Sequence, residues 1–189
     1  MKIYFSASRF YKKDYLGSYD TIVELLNKGG YEVLDGSQSK LVPMGSRMPE
    51  EEKSSLYKNM EKKMDKSEVC VFEASYPSTI HIGHEITLAI TKNKPVVVFF
   101  EKGKEPLLFR GLKGEKVYWV EYVGKEIEEK FEKVMEKAKK NIDVRFNFFV
   151  NPRILSYLDW VSKKRMVPRS VFLRDLIEKE MKKDKEFKG

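Results

Sequence analysis

Glu85 stands in the stretch HIGHEITLAI, His81 to Ile90, which follows a run of β-forming residues, VCVFEASYPSTI, that breaks at Pro77. In an open α/β sheet ligands bind in the crevice outside the carboxyl ends of the strands, and a carboxylate placed there can serve as a nucleophile. The spacing predicts a helix that begins near Gly83, which puts Glu85 in its first turn. There the positive end of the helix dipole and unpaired backbone N–H groups favour the ionised carboxylate. The competing reading is an ordinary first-turn glutamate that stabilises its own helix. Tyr4 is a second candidate, with a half-buried strand tyrosine as its plain alternative. Cys70, the one cysteine, lies inside an apolar strand and reads as a buried, inert thiol. His81 and His84 could supply only part of a metal site, so neither metal nor cofactor is expected.

These residues need a scaffold, and the chain alternates strand and helix signals to supply it. Residues 2–6 read as a first strand, SYDTIVELLNKGG as a helix stopped by Gly29 and Gly30, and YEVL as a second strand. Residues 35–55 are polar, with Gly36, Pro43, Gly45 and Pro49, and are too long for an ordinary connection. A helix over LYKNMEKKMDKS leads to strand three, EVCVFEA, and the helix near Gly83 leads to strand four, KPVVVFFE. Both strands are nearly all apolar, as strands covered by helices on two faces must be. EKVYWVEYV is a fifth strand, and KEIEEKFEKVMEKAKKN an amphipathic helix with Ile127, Phe131, Val134 and Ala138 on one face. The pattern predicts a doubly wound, flavodoxin-like α/β domain with a five-stranded parallel sheet over residues 1–140.

A different pattern occupies residues 141–189. VRFNFFVNP alternates like one strand, and two helices follow, the first opened by Pro152. A lone strand cannot form a sheet, so this segment must pair with another chain or dock on the first domain.

The chain carries 37 Lys or Arg against 29 Asp or Glu, a net charge of +8, which suits polyanionic partners such as nucleotides or nucleic acid. The excess is concentrated at the end, where residues 143–189 hold 12 Lys or Arg against 7 Asp or Glu, a net of +5. No stretch is apolar enough for a membrane span, and MKIYFSASRF enters a strand pattern directly, so a cytoplasmic location is expected.

The segment SEVCVFEASYPSTIHIGHEITLAITKNKPVVVFF, together with the opening KIYFSASR, resembles the nucleoside 2-deoxyribosyltransferase superfamily, especially its 2'-deoxynucleoside 5'-phosphate N-hydrolase branch. The resemblance implies that Glu85 attacks C1' of the sugar and displaces the base, with Tyr4 orienting it. It places Ser8 and Ser78 at the 5'-phosphate, with Arg9 adding a cation and Ser6 and Gly83 lining the same site. The family's aspartate on the helix before strand three falls on Met60 here, and Glu61 reaches that role only by a shift of one residue. A partner-subunit serine completes the phosphate site in the hydrolase branch. KEPLLFRGLKG offers no serine, and Arg110 or Lys113 is the available substitute.

The carboxyl-terminal segment resembles a ribbon-helix-helix unit, whose members dimerise by pairing their strands. That resemblance turns Arg145, Asn147 and Phe149 toward DNA bases and sets Arg169 and Ser170 against a phosphate. A module that only dimerises the first domain fits the same residues. For the whole chain two functions stand side by side. One is an N-glycosidase or deoxyribosyltransferase acting on a nucleoside 5'-monophosphate, in a homodimer or larger assembly. The other is a nucleotide-sensing, catalytically degenerate domain fused to a DNA binder.

Overall fold

The fold was analysed in a computed structural model of the chain, which describes residues 1–7, 12–36, 48–112, 114–143 and 147–186. It divides into two compact units, Met1–Asp143 and Val144–Gly189. In the first, strands β1 (Lys2–Ala7), β2 (Glu32–Asp35), β3 (Val69–Glu73), β4 (Val96–Glu101) and β5 (Val117–Tyr122) form one sheet in the order β2-β1-β3-β4-β5. Every pairing is parallel. The helices are α1 (Lys12–Lys28), α2 (Glu50–Lys66), α3 (Ile80–Thr91), the short α4 (Leu107–Arg110) and α5 (Glu126–Lys140). This is the flavodoxin-like α/β arrangement, in which strand order reverses beside β1 and opens a crevice at the carboxyl ends of the strands.

The near-continuous apolar runs have their cause in the two faces. Val69 and Val71 of β3 join Ile3, Phe5, Val97 and Phe99 in a core covered by α1 and α5, where Phe99 stacks on Phe131 at 6.0 Å. Cys70 and Phe72, pointing the other way by the period-2 rule, join Tyr4, Met60, Met64 and Ile86 under α2 and α3. Each face is covered by helices, so β3 and β4 are apolar until their last residue.

Two helix starts differ from the sequence expectation. α2 begins at Glu50, directly after Pro49, six residues ahead of the apolar periodicity at Leu56; its first turn carries Glu50, Glu51 and Glu52, which suit the positive helix end. α3 begins at Ile80, after Thr79 in extended conformation, rather than near Gly83. Glu85 is therefore one turn further in than the spacing suggests, beyond the unpaired N–H groups of the helix start.

The second unit holds α6 (Pro152–Arg165) and α7 (Arg169–Met181). The Asn151 side chain accepts from the Ile154 N–H at 2.9 Å with Pro152 next in line, and Met166 ends α6 in the left-handed region at φ 55°. Leu158, Val161 and Phe172 form its core. Residues 147–150 adopt no strand, contrary to the alternating pattern, because a strand exists only with a bonded neighbour and one copy provides none. Among the described residues no helix is long and apolar enough to cross a membrane.

Candidate active site

The centre of the site is a contact between β1 and α3. Tyr4 is fully buried, and its Oη donates to Oε2 of Glu85 at 2.9 Å; Glu85 is itself only 5% exposed. Tyr4 lies on the α2/α3 face of the sheet with its ring tilted against Phe72 at 6.0 Å. Ser6, two residues along and hence on the same face, is also buried, and its hydroxyl bonds to Glu85. β1 thus sends two hydroxyls to one carboxylate held on the second turn of α3.

Burial decides the charge state. It pushes the Glu85 carboxyl up to about 7, the bonds from Ser6 and Tyr4 pull it back, and the charge of Asp35 pushes it further up. The sequence expectation of a carboxylate held ionised by the helix dipole is thereby corrected, since desolvation outweighs the helix end from which Glu85 is displaced. Burial and the neighbouring Glu85 charge raise Tyr4 as well, so it stays a protonated donor. Cys70 beneath them is pushed up to about 12 by burial and remains a thiol.

Asp35 and Gly36, at the carboxyl end of β2, were not singled out in the sequence. β1 and β2 are paired with Tyr4 beside Leu34 and Phe5 beside Asp35, and Gly36 N–H donates to the Phe5 carbonyl at 2.7 Å. This brings Gly36 so close to Tyr4 that a Cβ on it would lie 2.1 Å from the phenol oxygen. A glycine here is a steric condition for the Tyr4–Glu85 contact. Its only sequence signal is a glycine at a strand's carboxyl end.

A second feature lies along α3. A cavity of about 430 Å³ is lined by Ser78, Thr79, Ile82, Gly83, Ile86 and Leu107, among others. Ser78 Oγ is buried with no hydrogen-bond partner among the described residues. Buried hydroxyls are nearly always satisfied, so an open one at a helix start fits a ligand oxygen.

The other candidates are placed as follows. Glu61 pairs with Lys92 at 3.7 Å, at the far end of α3 and about 10 Å along its axis from Glu85. Met60, at the family aspartate's position, is buried in the core around Tyr4. Arg110 pairs with Glu105 and lies over the Phe100 ring at 5.6 Å. Ser8, Arg9, Lys113 and Arg145 lie outside the described residues. In the second unit Asn147 and Phe149 are exposed, Arg169 is ion-paired with Asp159, and Ser170 is exposed in the first turn of α7. His81 and His84 are both exposed, and no group of three metal-ligating side chains occurs among the described residues.

No protein-family model matches the chain, and no curated protein sequence matches it. Solved structures share its fold. A conserved protein from Enterococcus faecalis superposes with a TM-score of 0.54 at 15% identity, over 72% of this chain and 98% of that one. A 2-deoxyribosyltransferase from the psychrotolerant bacterium Bacillus psychrosaccharolyticus does so with 0.50 at 19%, over 68% and 90%. A CMP N-glycosidase of Clostridium botulinum gives 0.49 at 13%, over 70% and 98%. At these identities the likeness is one of fold.

Two outcomes follow from the geometry. Gly36→Ala is expected to displace the Tyr4 hydroxyl from Glu85 and to destabilise the fold by about 1–3 kcal/mol, as overpacking does; an unchanged urea midpoint would contradict the close approach. The Glu85 carboxyl binds its proton more tightly folded than unfolded. Stability is therefore lost as pH rises from the ordinary carboxyl value of 4.5 toward about 7, by roughly 3 kcal/mol, and is flat above. Glu85→Gln should remove that loss, becoming more stable than wild type across this window in urea unfolding, with no difference below it.

Proposed function

We propose that the chain is an N-glycosidase or deoxyribosyltransferase that cleaves the N-glycosidic bond of a nucleoside 5'-monophosphate, with Glu85 as nucleophile. The observation that carries the reading is the buried hydrogen bond from Tyr4 Oη to Glu85 Oε2 at 2.9 Å. It orients the carboxylate by a buried donor, on the side of the fold where open α/β sheets bind ligands. The fold shared with a 2-deoxyribosyltransferase is consistent with it.

In the first step a Glu85 carboxylate oxygen forms a bond to C1' as the bond from C1' to the base nitrogen breaks. The electron pair leaves with the base, which takes a proton from water, and a glycosyl ester remains on Glu85. In the second step water, or the nitrogen of another base, attacks C1' and releases the carboxylate. A pKa near 7 keeps about half of Glu85 ionised at neutral pH. Forming the ester discharges a buried anion, so the burial that disfavours the free carboxylate favours its product. Tyr4, held protonated, donates to the carboxylate throughout. The open Ser78 hydroxyl, at the start of α3 beside an apolar cavity, favours a phosphorylated sugar.

Met60 favours the second reading, a domain that binds nucleotides without cleaving them. A methionine cannot protonate a leaving base, and Glu61 lies by Lys92, whose shorter bond is to Asp65 at 2.8 Å.

Base release from ribo- and deoxyribonucleoside 5'-monophosphates and free nucleosides, followed by chromatography, separates the two. Wild type is expected to release base from a monophosphate, and Glu85→Ala to lose at least about 10³-fold in rate while folding normally. Retained activity in Glu85→Ala refutes the nucleophile, and wild-type silence across the panel leaves the binding reading. The wild-type rate should rise with pH through about 7 as Glu85 ionises. Asp35→Asn removes a neighbouring negative charge and should move that rise to lower pH; an unmoved profile would argue that another group titrates.

A further inference from the structure

The loop between β3 and α3 carries the open Ser78 hydroxyl, and it is pinned at three residues in a row just before it. The Ala74 N–H donates to the Phe99 carbonyl at 2.9 Å, and the Tyr76 N–H donates to the Lys104 carbonyl at 2.8 Å. Between them Ser75, only 1% exposed, gives both of its donors to one atom: its N–H at 3.3 Å and its hydroxyl at 2.5 Å reach Oε1 of Glu73. The same hydroxyl accepts from the Glu101 N–H at 2.8 Å. On the far side of Ser78 the Thr79 carbonyl accepts from the Ile82 N–H at 3.1 Å as α3 begins. Pro77 and Ser78 alone stand between these two anchors, and the proline ring fixes its own φ. Where Ser75 is held therefore decides where the Ser78 hydroxyl lies.

Glu73 is the origin of that hold. It is 3% exposed, and burying a carboxylate costs stability that an apolar residue in its place would not. The strand itself needs no such group, because backbone pairing already sets Glu73 beside Phe99 of β4. Of the three bonds that its Oε1 accepts, one comes from Tyr122 and two come from Ser75, beyond the end of the strand. A side chain that must meet a ligand to within a fraction of an ångström needs neighbours locked by hydrogen bonds of this kind. We propose that Glu73 is a positioning residue: acting through Ser75, it holds the loop so that Ser78 Oγ and the start of α3 meet the 5'-phosphate. It thereby sets the preference for nucleoside 5'-monophosphates over nucleosides. This rests on Ser78 as the phosphate contact, the reading proposed for the site, and not on bond cleavage at Glu85.

Calorimetric titration of the full chain with AMP, CMP, GMP and UMP, and with their nucleosides, tests this without any turnover. Wild type is expected to bind at least one monophosphate about tenfold tighter than its nucleoside, and Ser78→Ala to lose most of that ratio. Glu73→Ala and Ser75→Ala should each weaken monophosphate binding by about tenfold and leave nucleoside binding unchanged. Glu73→Gln, whose amide oxygen can accept the same bonds, should restore it to within about twofold. The decisive comparison is a double-mutant cycle. On a Ser78→Ala background Ser75→Ala should cost less than about twofold more, because the contact it acts through is already gone. Additive losses in the cycle, equal losses for monophosphate and nucleoside, or a wild type without the preference overturns the inference. Ser75→Ala keeps the carboxylate and its Tyr122 bond, so the cycle stands even where Glu73→Ala fails to fold. Base release by the same samples separates the two readings. A non-additive cycle without release supports the positioning role and refutes the glycosidase, and release with an additive cycle does the reverse.

Discussion

The first unit is organised around the cost of burying one carboxylate. Glu85 is desolvated by the core that α2 and α3 build over the sheet, and two hydroxyls of β1 offset part of that cost. Each requirement passes to a neighbour. Tyr4 reaches Glu85 only because residue 36 has no side chain, and residue 36 lies there because β2 pairs in register with β1. Met60 belongs to the same arrangement. The methionine adds apolar area to that core and no charge.

Glu73 shows what a buried glutamate looks like when its role is to hold strands. It lies at the carboxyl end of β3 on the opposite face, and its Oε1 accepts from Ser75 N–H at 3.3 Å, Ser75 Oγ at 2.5 Å and Tyr122 Oη at 3.1 Å. Ser75 Oγ in turn accepts from the Glu101 N–H at 2.8 Å. One carboxylate thus ties the ends of β3, β4 and β5 together. Burial raises its pKa, as at Glu85, so a shifted pKa alone does not separate the two. The difference is in the surroundings: Glu73 is closed over by donors from its own sheet, and Glu85 stands on the helix that also walls a cavity with an open hydroxyl.

The parallel sheet and its two-sided core were legible because apolar runs such as VCVF and VVVFF fit strands covered by helices on both faces. The start of α3 was not. Gly83 looks like a boundary, whereas Ile82 continues the buried apolar face and Thr79 marks the true start, so the dipole argument for Glu85 was made one turn off. Tyr4 and Glu85 were found through local pattern and family resemblance. Asp35 and Gly36 were missed because their significance comes from parallel register, which joins residues about thirty apart in sequence and has no local signature. Residues 147–150, part of the strand expected before α6, have no strand to pair with in one copy: alternation states a capacity to pair, and the partner strand is not encoded beside it.

The two units close their cores in different ways. In the first, a sheet lies between helical layers, so every apolar face made by local sequence meets another within the same chain. In the second, α6 and α7 make a single layer, and the stripe from Ile154 through Val161 faces Phe172 but runs on past it. Two packed layers are the usual minimum for a stable domain, and the described residues of this unit supply one.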